Sequence, residues 1–145
     1  MRRPPVFLLL MLVFAVSLTG CGGGKKSSDP SAVVASWSQA INAGDDEAAA
    51  KLFTPDALVI QDGSETHLAG EAEALAFNSS LPCGAKIVKQ SVAGDEVTAT
   101  FTLTRRPEHM CDGTGESAVT VFRIKDGKIA LWHQLPADAA NAQTA

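Results

Sequence analysis

The chain has 145 residues, with 12 Lys and Arg against 16 Asp and Glu, a formal net charge of −4 and 46 % apolar residues. That length suits one domain built around one core. The acidic balance argues against a nucleic-acid partner, which would need clustered cations.

Met1-Arg2-Arg3 is followed by an apolar run from Val6 to Leu18, broken only by Ser17. A helix that crosses a bilayer needs about 20 apolar residues, so this run is short for a permanent span. Two charges, a short apolar run and small residues after it read as an export signal over residues 1–20. Leu18-Thr19-Gly20-Cys21 resembles the lipobox of bacterial lipoprotein precursors. The resemblance implies a diacylglycerol thioether on Cys21, cleavage after Gly20 and acylation of the new N-terminus. The alternative is an ordinary cleaved signal beside a chance cysteine. A thiolate is a suitable nucleophile for the lipid transfer, and two or more acyl chains hold a protein stably at a membrane. Residues 21–30, rich in Gly and Ser, read as a flexible tether. Loss of residues 1–20 removes two arginines and no acid, which takes the net charge from −4 to −6. The expected location is the extracytoplasmic side of a bacterial envelope membrane, with that membrane as a partner through the lipid.

The folded domain is expected over residues 31–136. Asp29 and Pro30 supply an N-cap acceptor and a first-turn proline. Val33, Val34, Trp37, Ala40 and Ile41 then recur at helical spacing, and Gly44 is a stop. Asp45 caps a second short helix that carries Ala49, Leu52 and Phe53. Residues 57–61 read as a strand, Asp62-Gly63-Ser64 as a turn, and 71–77 as a third helix. Beyond Pro82 the period changes to two. Strands are expected over 86–92, 97–104, 118–124 and 128–135. In the second of these, apolar residues alternate with threonines, as in a half-buried strand. Asp126-Gly127 is a strong two-residue hairpin signal. Residues 137–145 carry nothing large enough to bury and read as a disordered tail. Helices first and a meander of strands after them make an α+β domain, with N-terminal helices packed on one face of a strongly curved antiparallel sheet.

Cys83 and Cys111 remain once Cys21 is set aside. In an exported chain with no metal-ligand spacing around them, a disulfide is favoured over free thiols and over a zinc site. No metal or cofactor is expected. The hairpin turning at Gly94 carries position 83 close to where the loop bearing Cys111 leaves the sheet.

The runs "WSQAINAGDDEAAAKLFTPDALV" and "VFRIKDGKIALWHQ" resemble the nuclear transport factor 2-like superfamily, which includes SnoaL-like polyketide cyclases and ketosteroid isomerases. The resemblance implies a cone of bent sheet closed by helices, often around a pocket. Carried over by spacing, the isomerase's acidic tyrosine falls at Trp37, its general base at Gln61 and its protonated aspartate at Thr120. An indole, an amide and a hydroxyl cannot perform that proton transfer.

If Asp126-Gly127 closes a two-residue loop with regular pairing, Thr120 faces His133 and Phe122 faces Leu131. Thr120, Phe122, Leu131 and His133 would then line the interior with Trp37 and Gln61, while Val119, Val121, Trp132 and Gln134 look outward. His133 could be an acid/base or a ligand donor, or simply a satisfied core histidine. Arg105 shares the inward parity of its strand and could meet a carboxylate, or curl out to solvent. Asp56 reads as a turn or cap residue. Three functions stay open. One is a non-catalytic binder of a small apolar ligand or a protein partner. Another is an enzyme that uses His133 with Asp56 or Arg105 on a hydrophobic small molecule. The last is a homodimerising assembly module that buries Val119, Val121 and Trp132.

Overall fold

A computed structural model describes residues 28–144. The expected export signal, Cys21 and most of the expected tether lie outside the described residues. Helix α1 runs over Pro30–Ala43. The Asp29 carboxylate accepts from the Ser31 amide at its start, and Gly44 closes it in the left-handed conformation. Its buried stripe is Val33, Val34, Trp37, Ala40 and Ile41, as the spacing requires. Helix α2 (Asp46–Ala50) is capped by Asp45, whose side chain accepts from the Ala48 amide at 2.9 Å. Helix α3 covers Glu71–Ser80 and gives way to extended Leu81, the residue before Pro82.

Six strands follow the order β2-β1-β6-β5-β4-β3 in one sheet. They are β1 (Phe53–Gln61), β2 (Ser64–His67), β3 (Gly84–Ala93), β4 (Glu96–Thr104), β5 (Ser117–Lys125) and β6 (Lys128–Gln134). All neighbours pair antiparallel except β1 and β6, which run parallel. Helices on one face of this curved, unclosed sheet make the α+β architecture expected from the sequence. One turn extends that expectation. Asp62 and Gly63 both have positive φ, as do Asp126 and Gly127. Each pair therefore closes a hairpin whose twist suits its strands, and the first of them creates edge strand β2.

The C-terminal segment differs from expectation. Residues 137–144 form helix α4 instead of a disordered tail, and α4 packs against β5. Val119, on the outer face of β5, is fully buried. Small residues suffice here because a short alanine-rich helix can lie close to a sheet.

The β5–β6 hairpin carries the main correction. Lys125 pairs with Lys128 and Ile124 with Ile129, as a two-residue loop dictates; the register then shifts, and Arg123 pairs with Leu131. Ala130 is the extra residue of a β-bulge. Because side chains alternate, one inserted residue exchanges the two faces from there on. Trp132 is therefore opposite Phe122, with 3 % of its surface exposed, while His133 is opposite Val121. Leu131 and His133 belong to the outer face, and Trp132 and Gln134 to the inner one. The dimer face expected from Val119, Val121 and Trp132 does not exist as such, since Trp132 points inward and α4 covers Val119.

Candidate functional site

The inner face of the sheet and the stripe of α1 meet in an aromatic cluster. The Trp37 ring stands edge-to-face with Phe101, Phe122 and Trp132, with centroids 5.9, 5.4 and 6.2 Å away. Phe77 of α3 continues the contact, 5.1 Å from Trp132. Such pairs contribute about 0.5–1.5 kcal/mol each beyond area burial, so most of the cone is occupied by its own side chains.

What stays open is a cavity of about 130 Å³ on the mouth side of this cluster. Trp37, Phe101 and Trp132 form its floor, Leu81, Pro82, Cys83 and Leu103 its rim, and Gln61, Thr120 and Gln134 its polar part. Of the residues singled out from sequence, Trp37, Gln61 and Thr120 are brought together here. Phe122 lies on the same face, fully buried behind Trp37. The structure does not bring His133, Leu131 or Arg105 to the cavity. The bulge turns the first two outward. Strand β4 ends at Thr104, so its parity no longer governs Arg105, which is exposed beside His109 and Asp112. Asp56 is exposed as well.

The polar groups are arranged in a definite way. The Trp37 Nε1–H donates to Asn78 Oδ1 at 2.9 Å, and the Asn78 amide donates to the Ala74 carbonyl at 2.7 Å. Trp37 is thus a fixed wall with no donor to spare. Gln61 Nε2 donates to Gln134 Oε1 at 3.0 Å. Trp132 Nε1 is buried with no acceptor. The cavity lining contains no His, Asp, Glu, Lys or Arg.

Behind the rim sits a buried cation that strand parity did not single out. Arg106 donates from one guanidinium nitrogen to the Asn78 and Leu81 carbonyls, both at 3.0 Å. Another nitrogen pairs with the Asp46 carboxylate. His109 follows, with Nδ1 2.9 Å from the Pro107 carbonyl and Nε2 2.9 Å from the Ser79 carbonyl. These two carbonyls hold its pKa above the ordinary value. Cys111 then bonds to Cys83. The loop over residues 105–116 is thereby tied to α2, to the end of α3 and to the cavity rim. The Cys83–Cys111 pairing was legible from the sequence; Arg106 offered only its place in an Arg-Arg pair.

A second, larger hollow of about 410 Å³ lies between the β1–β2 hairpin and α3, and Gln61 borders both it and the cavity. Its polar lining, which includes Asp62, Ser64, Thr66 and Glu73, is exposed. It is an open groove, not an enclosed site. No group of His, Cys, Asp and Glu suited to a metal ion occurs among the described residues.

None of the curated proteins compared with this chain matches it. Solved structures do. A protein provisionally called a polyketide cyclase, from Sinorhizobium meliloti, is similar with 23 % identity over 72 % of this chain and 94 % of its own, at a TM-score of 0.58. A protein provisionally called a ketosteroid isomerase, from Kribbella flavida, is similar with 18 % identity over 72 % of this chain and 75 % of its own, also at 0.58. A de novo designed protein with a curved β-sheet reaches 0.61 with 15 % identity, over 79 % of this chain and 91 % of its own. Identities this low speak for the fold alone, and the designed protein carries that fold without natural ancestry. The family model of the SnoaL-like domain matches residues 34–132, from the buried stripe of α1 to Trp132, and the chain belongs to that family.

Proposed function

We propose that this chain is a non-catalytic binding domain, held by a lipid on Cys21 at the outer side of a bacterial envelope membrane, and that it seats a small apolar molecule between Trp37 and Trp132. The observation that carries the reading is the neutral lining of the cavity. The relatives' names point to isomerisation and cyclisation, which need a positioned acid or base. At the corresponding places this chain has Trp37, Gln61 and Thr120. A volume of about 130 Å³ is well below the roughly 300–1,000 Å³ of pockets for drug-sized ligands. It is close to the roughly 150 Å³ of an engineered apolar cavity that takes benzene.

The test uses Ala118→Leu, which places a larger side chain in the lining. Benzene-sized ligands should bind the wild-type chain and lose at least about tenfold in affinity to the variant, a factor worth about 1.4 kcal/mol. Equal binding by both would remove the cavity from the account. The membrane half is tested separately. Cys21→Ala should release the protein from the membrane fraction, and retention there with unchanged mobility would contradict the anchor.

A further inference from the structure

We infer that the cavity selects neutral molecules carrying a hydrogen-bond donor and acceptor side by side, the cis-amide or lactam class. The inference rests on the cavity-binding reading above and goes beyond it, because an apolar cleft alone would take any hydrocarbon of the right size. Gln61 and Gln134 are joined by a single hydrogen bond, from Gln61 Nε2 to Gln134 Oε1. A primary amide has two N–H donors and one carbonyl acceptor. The Gln61 carbonyl and the Gln134 amino group make no hydrogen bond among the described residues, and neither is sealed away as a buried unpaired atom. The pair therefore presents one free acceptor, the Gln61 carbonyl, next to the free N–H donors of the Gln134 amino group. Exchanging the roles of the two amides leaves the same complement.

Thr120 adds a third polar group to the cavity wall. Its side chain lines the cavity, only 3 % of the residue is exposed, and its hydroxyl has no protein partner. That hydroxyl is not sealed away as a buried unpaired atom, so it is open to the cavity and can donate to or accept from a ligand there. The remaining lining is aromatic and aliphatic, and it holds no charge. A carboxylate or ammonium would enter without a counter-charge and pay its desolvation in full. A flat lactam ring would stack among Trp37, Phe101 and Trp132, accept from Gln134 and donate to Gln61.

The probe is 2-pyridone, compared with benzene and with N-methyl-2-pyridone, which keeps the carbonyl and loses the N–H. The full chain is held in lipid nanodiscs with its tryptophans labelled. Both of its tryptophans line the cavity, so their indole resonances report binding against the free aqueous probe concentration. The wild type should bind 2-pyridone at least about tenfold more tightly than benzene, since two neutral hydrogen bonds separate them. N-methylation should remove most of that advantage. Gln134→Met and Gln61→Met, near-isosteric and apolar, should each bring the ratio of 2-pyridone to benzene affinity toward one. Equal wild-type affinity for the three probes, or a preference that survives both substitutions, would overturn the lactam assignment and leave an apolar binding cavity. Failure of every probe, benzene included, would overturn the cavity reading and this inference with it. The comparison with N-methyl-2-pyridone needs no variant, so misfolding of either glutamine variant does not protect the proposal.

Discussion

Arg106 carries a full charge into a place where its side chain has no solvent exposure, while Asp46 keeps 17 %. Two carbonyls and one carboxylate offset the lost hydration, and Nε stays unpaired. Removing one partner of such a pair leaves the other buried and uncompensated, a cost of about 3–5 kcal/mol where burial is complete. Asp46→Ala should fall at or just below the bottom of that range, because water still reaches the carboxylate. Urea unfolding would measure it, and a loss under about 1 kcal/mol would show that the pair is idle.

His109 offers a pH test at the same scale. Carbonyl oxygens only accept, so both can be satisfied only when both ring nitrogens carry protons. The bonds to Pro107 and then Ser79 raise the pKa of this exposed ring above its ordinary value near 6.5. With the folded-state pKa above the unfolded one, the imidazolium form is favoured in the folded protein. Its contribution is complete below the unfolded value and fades as pH rises through the raised folded value. Melting temperature should therefore fall as pH rises from the ordinary histidine value through the raised one, and His109→Gln should flatten that part of the profile. A wild-type profile already flat there would contradict the clamp.

Among the elements, strand β6 decides what the cavity is. Deleting Ala130 should remove the bulge and leave Leu131 opposite Arg123 and Trp132 opposite Phe122 in an unbroken alternation. Tryptophan emission should then stay where it is, whereas Trp132→Ala should cost about 3–5 kcal/mol, the range for losing a large buried aromatic. His133→Ala should cost under about 1 kcal/mol, since it sits on the outer face. A red-shifted emission spectrum in the deletion variant would contradict Ala130 as the extra residue of the strand.

The same strand shows where legibility ended. Helix α1, its caps, strands β3 to β6 and the Cys83–Cys111 bond follow from periodicity, turn chemistry and the expectation of export. Local spacing is enough for those elements. The inner face of β6 needs a non-local fact, which pairing the chain adopts along a bent sheet. One sign was present. Ile129 and Trp132 are both large and apolar at a spacing of three, which no regular strand can place on one face. Helix α4 escaped for a different reason. Its docking depends on the outer face of β5, which its own sequence does not reveal.

For the molecule as a whole, the cone is closed by its own aromatic rings except at the mouth. There a small neutral cavity is rimmed by a disulfide and backed by an ion pair. The rim is tied covalently at Cys83 and electrostatically through Arg106, so the opening is held by links to α2, to α3 and to the 105–116 loop. Rigid walls without a titratable group suit retention of a ligand better than proton transfer. The exposed groove beside α3 is the competing location for any ligand. The decisive measurement is a titration of the labelled chain with 2-pyridone, following the indole N–H signals of Trp37 and Trp132 together with the backbone signals of Ser64, Thr66 and Glu73. The account predicts that both indole signals move with one common dissociation constant while the groove residues stay still. Movement confined to Ser64, Thr66 and Glu73, with both indoles unchanged, would contradict it.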